Sequence, residues 1–246
     1  MRAMTIIFVM LGILTIHCEN SNDHNQLTRS EKAEGWTLLF DGESTNGWRG
    51  VNCQDVPECW QVLDSSLIVN PPGTNTEDCG DIMTTETYGD FELVWDWKMH
   101  EPGANSGVKY YVVEDLSSGS GGIGLEYQLL DDQNHEWMQD GRMQPNDYHT
   151  LAALYELYPP SPEKIMNPVE EWNRSRIVSQ NKNVEHWLNG TLVLEFERGS
   201  EDFRARVAKS KFAEIESFGE AKRGHILLQH HGSTVEFRNI KIRVLD

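Results

Sequence analysis

The stretch 91–99, Phe-Glu-Leu-Val-Trp-Asp-Trp-Lys-Met, constrains the fold more than any other part of the chain. Phe91, Leu93, Trp95, Trp97 and Met99 fall on one side, and Glu92, Asp96 and Lys98 on the other, with Val94 the one exception. A period of two is the mark of a strand that buries one face. Shorter apolar segments at 36–40, 108–113, 125–130, 175–179, 184–188, 191–196, 225–230 and 234–244 repeat the theme. Asn189-Gly190 separates two of them and predicts a tight hairpin, because both residues tolerate the positive φ that such a turn needs. The last two segments read as a strand pair joined by His231-Gly232-Ser233. Only 209–218 reads as helical. Many strands with few short helices predict an all-β sandwich of jelly-roll type.

The N-terminus predicts export. Arg2 precedes a run from Met4 to Ile16 broken only by Thr5, Gly12 and Thr15. That run is short for a membrane span but fits a secretory signal. Cys18 closes it and Glu-Asn-Ser-Asn-Asp follows, as in a bacterial lipoprotein, although Ile16-His17 stands where small residues are usual. The expectation is a signal at 1–17, lipidation of Cys18, a polar tether over 18–34 and one domain over 35–246, placed in the periplasm or on the outer membrane. The formal charge of −18 argues against nucleic-acid binding, since phosphates would be repelled.

Cys53, Cys59 and Cys79 remain after export. Three in an oxidising compartment predict one disulfide and one spare thiol, with the pairing left open. The proline-rich stretch 158–168 reads as a long loop that rims a site. The Gly/Ser run 117–124 has no helix behind it to cradle a phosphate. Gly-x-Ser-x-Gly, His-Glu-x-x-His, EF-hand and Walker patterns are all missing from the sequence.

The order of several short motifs resembles one family. They are Leu39-Phe40-Asp41-Gly42 with Gly47-Trp48, then Asp90-Phe91-Glu92-Leu93, Asn105-Ser106-Gly107-Val108 and Glu126-Tyr127-Gln128-Leu129-Leu130-Asp131. Glu171-Trp172-Asn173, Glu185-His186-Trp187-Leu188-Asn189-Gly190, Leu228-Gln229-His230-His231-Gly232 and Phe237-Arg238-Asn239-Ile240 complete the series. Their number, order and spacing over about residues 35–246 resemble the 3-keto-disaccharide hydrolase family. The resemblance implies a concanavalin A-like jelly roll, export from a Gram-negative bacterium, and action on glycosides already oxidised at C3. A separate sugar dehydrogenase would then supply the oxidised disaccharide, since the chain carries no nicotinamide-binding motif.

A ketone at C3 acidifies the proton on C2. A base that removes it makes an enolate, which expels the C1 substituent; water then adds back. Such a site needs a base, a donor for the leaving oxygen and a group to hold the enolate, not the paired carboxylates of an ordinary glycosidase. Glu126, Asp131 and His135 are the candidate acids and bases, with Lys109 and His231 as electrostatic support. Glu126, Gln128 and Leu130 alternate with Leu125, Tyr127 and Leu129, so the first set shares a face. Gln128, Asn105, Tyr155, Trp172, Asn173, His186 and Gln229 are candidate substrate-binding residues, and Trp137 is a further aromatic that could stack on sugar. Asp131 with His135 could also contribute to a divalent-metal site. The competing readings are a non-catalytic carbohydrate-binding module and a structural domain on the cell surface.

Overall fold

The computed structural model describes residues 24–75, 79–115 and 121–245. The signal and Cys18 lie outside the described residues. In chain order the strands are β1 (Trp36–Leu38), β2 (Trp48–Gly50), β3 (Trp60–Leu63), β4 (Ser66–Val69), β5 (Ile82–Thr84), β6 (Phe91–Met99) and β7 (Asn105–Asp115). They continue with β8 (Gly121–Leu130), β9 (Asn173–Gln180), β10 (Asn183–Leu188), β11 (Thr191–Glu197), β12 (His225–Leu228) and β13 (Val235–Val244). Short helices are α1 (Arg29–Ala33), α2 (Glu136–Gln139) and α3 (Glu201–Val207).

These strands make two antiparallel sheets packed as a jelly-roll sandwich. The larger runs β11-β10-β9-β6-β13-β4-β3, with β1 also on β13; the smaller runs β2-β5-β12-β7-β8. The odd-numbered apolar residues of β6 face Val108 and Tyr110 of β7 and Leu125, Tyr127 and Leu129 of β8, all buried. Trp95 meets Tyr127 edge-on, with ring centroids 5.1 Å apart. Buried polar groups must find partners. Trp97 donates to Ser175 Oγ at 2.8 Å and Ser175 donates to the Tyr127 hydroxyl at 3.0 Å. Tyr127 in turn donates to the Trp187 carbonyl at 3.1 Å, so a polar thread ties the two sheets together through the core.

Glu92 and Asp96 on the polar face of β6 are also buried. Glu92 is clamped by Arg176 and Arg243, and Asp96 by Arg174 and Asn239. Residues 24–34, expected to be part of a tether, are fastened against this outer face of the larger sheet. Asn25 is buried, exchanges hydrogen bonds with Asn239 and donates to the Ser65 carbonyl. Helix α1 is closed by a capping box between Thr28 and Glu31, and Glu31 pairs with Lys241.

Asn189-Gly190 does turn β10 into β11, with φ of 47° and 84°. Two other expectations need correction. β12 and β13 are not a pair: β12 lies between β5 and β7 in one sheet, and β13 pairs with β1, β4 and β6 in the other. The linking residues cross between layers, which a hydrophobic pattern read strand by strand does not reveal. The segment 209–218 is a run of turns, and the helix lies earlier, at α3, capped by Ser200. Phe212 and Phe218 stack at 4.0 Å, a contact between residues that a helix would turn 120° apart. Cys59 and Cys79 form the disulfide and Cys53 is free and exposed. Among the described residues no helix is long and apolar enough to cross a membrane.

Candidate active site

The outer face of the smaller sheet carries the site. Because Leu125, Tyr127 and Leu129 point into the core, Glu126, Gln128 and Leu130 point out. The register carries that face across the sheet: Met83 of β5 opposes Leu227 of β12, Leu227 opposes Lys109 of β7, and Lys109 opposes Glu126 of β8. One step along, Gly107 opposes Gln128, and the Gln229 amide donates to the Gly107 carbonyl at 2.9 Å. Gly107 leaves the floor bare. A Cβ there would stand 2.7 Å from Glu126 Oε1 and 3.2 Å from Gln229 Oε1, so the carboxylate and the carboxamide lean together over the glycine.

Above this floor lies a cleft of about 280 Å³ bounded by Asn105, Lys109, Glu126, Gln128, Tyr155, Lys211, Phe212, Gln229 and His231, among others. It continues into a smaller space of about 160 Å³ that shares Asn105, Gln128, Tyr155 and His231 and adds His135, Trp137 and His149. The far wall is the strap 209–218, which brings in Lys211 and Phe212. The residues after β8 close the near side: Tyr155 N donates to the Glu126 carbonyl at 3.1 Å, and Ala152 N donates to the Gln128 carbonyl at 2.8 Å. These backbone bonds hold Tyr155 beside the Glu126 carboxylate.

Glu126 is 8% exposed. Burial pushes its pKa up, and the nearby ammonium groups of Lys109 and Lys211 pull it back part of the way. Lys109 is steadied from behind by Asp81, 3.8 Å away, whose other oxygen accepts from His230 N at 2.8 Å. The Asp81 carboxyl is itself pushed up by burial, against the pull of Lys109. Lys211 sits over the Tyr155 ring at 4.2 Å. Burial and the charge of Glu126 push the Tyr155 phenol up to about 12, so it is a donor at neutral pH. Gln128 donates to Asn105 Oδ1 at 3.2 Å, while Gln128 Oε1 and Gln229 Oε1 are buried without a partner. Buried acceptors left open in a polar cleft are what a hydroxyl-rich ligand would satisfy.

The structure thus brings Glu126, Lys109, His231, Gln128, Asn105, Tyr155 and Gln229 together. His135 and Trp137 border the smaller space, and His135 Nδ1 also caps α2 by accepting from Trp137 N. Burial pulls the His135 imidazole below its usual range. Four expected site residues are elsewhere. Asp131 is buried and its carboxylate accepts from Gly103 N at 2.9 Å and Asn134 Nδ2 at 2.8 Å, tying a loop rather than facing the cleft. His186 is fully buried between the sheets. Its Nδ1 donates to the Ala152 carbonyl, its Nε2 accepts from the Tyr110 hydroxyl, and burial holds its pKa down to about 4. Trp172 packs under Lys98 and Arg238 on the larger sheet. Asn173 accepts from Asn167 N and Asn189 Nδ2 in the loops beyond β9. The loop 158–168 also misses the cleft: Lys164–Asn167 line a separate hollow beside Asp132, with which Lys164 forms a half-buried ion pair.

Sequence reading missed Lys211, Asp81 and Gly107. Lys211 carried no pattern, since it arrives on an irregular strap; Asp81 stands two residues before Met83 and shares its face, but β5 is too short to show alternation. Among the described residues no three His, Cys, Asp or Glu side chains are grouped to hold a metal ion, and Asp131 and His135 point to different places.

Residues 35–243 match the model of the 3-keto-alpha-glucoside-1,2-lyase-like domain. The chain belongs to this family. A 3-keto-disaccharide hydrolase from Bacteroides thetaiotaomicron is 32% identical over 236 residues, covering 87% of this chain and 80% of that protein. A crystal structure from Parabacteroides distasonis, provisionally named a glycosyl hydrolase, superposes with a TM-score of 0.79 at 39% identity, covering 91% of this chain and all of that one. A second from the same organism, named in the same way, gives 0.62 at 27% identity, covering 85% of this chain and 99% of that one. Membership of the 3-keto-alpha-glucoside-1,2-lyase-like family and these relatives make the chain glycosyl hydrolase-like, on the fold expected of it.

Proposed function

We propose that this chain cleaves 3-keto-glycosides by removing the C2 proton and eliminating the C1 substituent. The observation that carries this reading is that, among the described residues, Glu126 is the one carboxylate lining the main cleft and is buried there with Lys109 and Lys211 nearby. Glu136 also borders the smaller space, but it is exposed at the rim and paired with Arg142. Ordinary glycoside hydrolysis uses two facing carboxylates; proton abstraction next to a ketone needs one base and N–H donors for the developing oxyanion.

Glu126 takes the proton from C2, and the electron pair passes to the oxygen at C3. Lys109 and Lys211 flank the carboxylate and between them can meet the C3 oxygen and the leaving oxygen. The enolate then collapses, the C1–O bond breaks, and the leaving oxygen takes up the proton that Glu126 removed, which returns the carboxylate to its charged form. Water adding its oxygen to C1 and a proton to C2 completes net hydrolysis. Gln128 and Gln229 offer their open oxygens to sugar hydroxyls, and Tyr155, Asn105 and His231 offer donors. The relative from B. thetaiotaomicron, named for a 3-keto-disaccharide, supports the same chemistry. A separate dehydrogenase supplies the C3 ketone on this reading, and an acylated Cys18 holds the protein at a membrane outside the cytoplasm.

The test is incubation of the purified domain with a 3-keto-disaccharide and its unoxidised parent. The keto sugar should be consumed and the parent left intact, and in deuterated water the hydrolysed product should carry deuterium at C2. Equal rates on the two sugars would sink elimination and return the cleft to ordinary hydrolysis; binding of both without turnover would favour a carbohydrate-binding module.

A further inference from the structure

A disaccharide centred on Glu126 needs room for a second ring. The main cleft, about 280 Å³, falls just short of the roughly 300–1,000 Å³ of small-molecule sites. Its two ends differ in what they add. At one end lie Gly122 and Gly124, but the space above them is already taken. A Cβ on Gly122 would stand 2.6 Å from Leu227 Cδ1 and 2.7 Å from Val112 Cγ1. One on Gly124 would stand 2.8 Å from both the Tyr110 carbonyl oxygen and Val112 Cγ2. Val112 and Leu227 are buried and packed with Met83 and Val51, so protein fills the floor there. At the other end Asn105, Gln128, Tyr155 and His231 line both the main cleft and the smaller space. Leu130, His135, Trp137 and His149 line the smaller space beyond them.

The geometry points to the smaller space as the subsite of the leaving sugar, with Trp137 and Leu130 against its C–H face and His135 as a donor to its hydroxyls. This assignment rests on the proposed cleavage at Glu126. Glu126, Gln128 and Leu130 follow one another on one face of β8, about 13 Å from first to last at roughly 3.3 Å per residue, which is room for two rings end to end. C1 is bonded to C2, so with C2 at Glu126 the glycosidic oxygen lies toward Gln128 and the second ring beyond it. A sugar needs an apolar surface for its C–H groups and hydrogen-bonding groups for its hydroxyls. Trp137 is half-buried, and its ring stands edge-to-face to His135 and His149, with centroids 5.6 and 5.9 Å away. His149 holds the wall. Its Nδ1 lies 2.7 Å from Asp147 Oδ1 and its Nε2 3.3 Å from Glu156 Oε1, so both nitrogens are engaged, and its ring packs on Tyr155 at 5.2 Å. His135 differs: Nδ1 accepts from Trp137 N, so the neutral ring carries its proton on Nε2, which serves as the donor. Gln128 Oε1, buried without a partner, lies where the two spaces join.

The experiment compares a 3-keto glucosyl-glucose with 3-keto methyl glucoside of the same anomeric configuration. The two leaving groups differ in acidity, so the quantity read is the change that a substitution makes to the disaccharide-to-methyl ratio of kcat/KM, in which that difference cancels. Trp137→Ala should lower the ratio about tenfold by raising KM for the disaccharide, the scale of one aromatic contact. Trp137→Leu, which keeps apolar packing, should lower it in the same direction and serves if the alanine variant does not fold. Ile215→Ala, at the other end of the main cleft, should leave the ratio within about twofold. A ratio unchanged in the Trp137 variants, whether both substrates lose equally or neither does, overturns the subsite, and so does a larger fall in Ile215→Ala. If neither keto sugar is cleaved by the unmodified protein, the cleavage reading fails alone. Calorimetric binding of unoxidised glucosyl-glucose and methyl glucoside then decides the subsite. Tighter binding of the disaccharide that Trp137→Ala abolishes supports it; equal binding, or a preference that Trp137→Ala keeps, overturns it.

Discussion

Glu126→Gln isolates the base. The amide has the same shape and still fits over Gly107, so the substitution removes ionisation with little change in packing. Loss of a general base costs on the order of 10² to 10⁴ in rate. The middle of that range is expected: among the described residues Glu126 is the one carboxylate lining the main cleft, and His231 is a basic side chain that borders it too. The Tyr155 phenol is pushed up to about 12 and stays protonated, Asp81 is engaged behind Lys109, and the Gln128 and Gln229 amides have no basic site. A thousandfold loss, about 4 kcal/mol of transition-state stabilisation, should fall on kcat more than on KM. Stability should move the other way. Burial raises the Glu126 pKa in the folded protein, so the folded state holds the proton more tightly than the unfolded chain. That preference makes ionisation a cost to folding at pH values above the raised pKa. Glu126→Gln should therefore melt higher than the unmodified protein at neutral pH, with the difference vanishing below the ordinary value near 4.5. Activity of the unmodified protein should rise with pH through a value above 4.5. Initial rates on a 3-keto-disaccharide and thermal melts across pH test both arms. Full activity in Glu126→Gln would refute the assignment of the base, and a lower melting temperature at neutral pH would refute the account of its burial.

Gln128→Ala should raise KM by about five- to tenfold with a smaller effect on kcat, the scale of one hydrogen bond to a neutral group; saturation kinetics on the keto sugar would show it, and an unchanged KM would remove Gln128 from the binding floor. His186, held at a pKa of about 4 by burial against an ordinary 6.5, binds protons more readily in the unfolded chain. Stability should therefore fall by on the order of 3 kcal/mol as pH drops from 6.5 toward 4, and denaturant titrations of His186→Gln should lack that component. Cys18→Ala should release the protein from the membrane fraction, and membrane association that persists after signal cleavage would count against lipidation.

How much of this the sequence displayed depends on the element. The alternation in 125–130 placed Glu126 and Gln128 opposite the core residues, and the structure keeps that division. The same rule, carried further, applies to two residues it was not used for. Asp131 is in phase with Tyr127 and Leu129, and His186 is in phase with Val184 and Leu188, so both belong to the buried side of their strands. Trp172 and Asn173 could not be sorted that way, because alternation assigns a face of a strand and not one of the two sheets. Lys211 was beyond reach for a different reason: its position depends on how an irregular strap folds back across a sheet built from distant strands.

β8 is the last strand of its sheet, and residues 152–155 cover its open edge. The Ala152 and Tyr155 amides bond to the β8 carbonyls of Gln128 and Glu126, and the Gln128 amide donates to the Ala153 carbonyl at 3.3 Å. An uncovered edge strand is a template for aggregation. Here the segment that guards against it is the same one that carries Tyr155 to the reacting centre. Any loosening that bares the edge also dismantles the cleft. Molecules that have become sticky are molecules that have already stopped working, and a falling specific activity in an ageing preparation would count them before turbidity does.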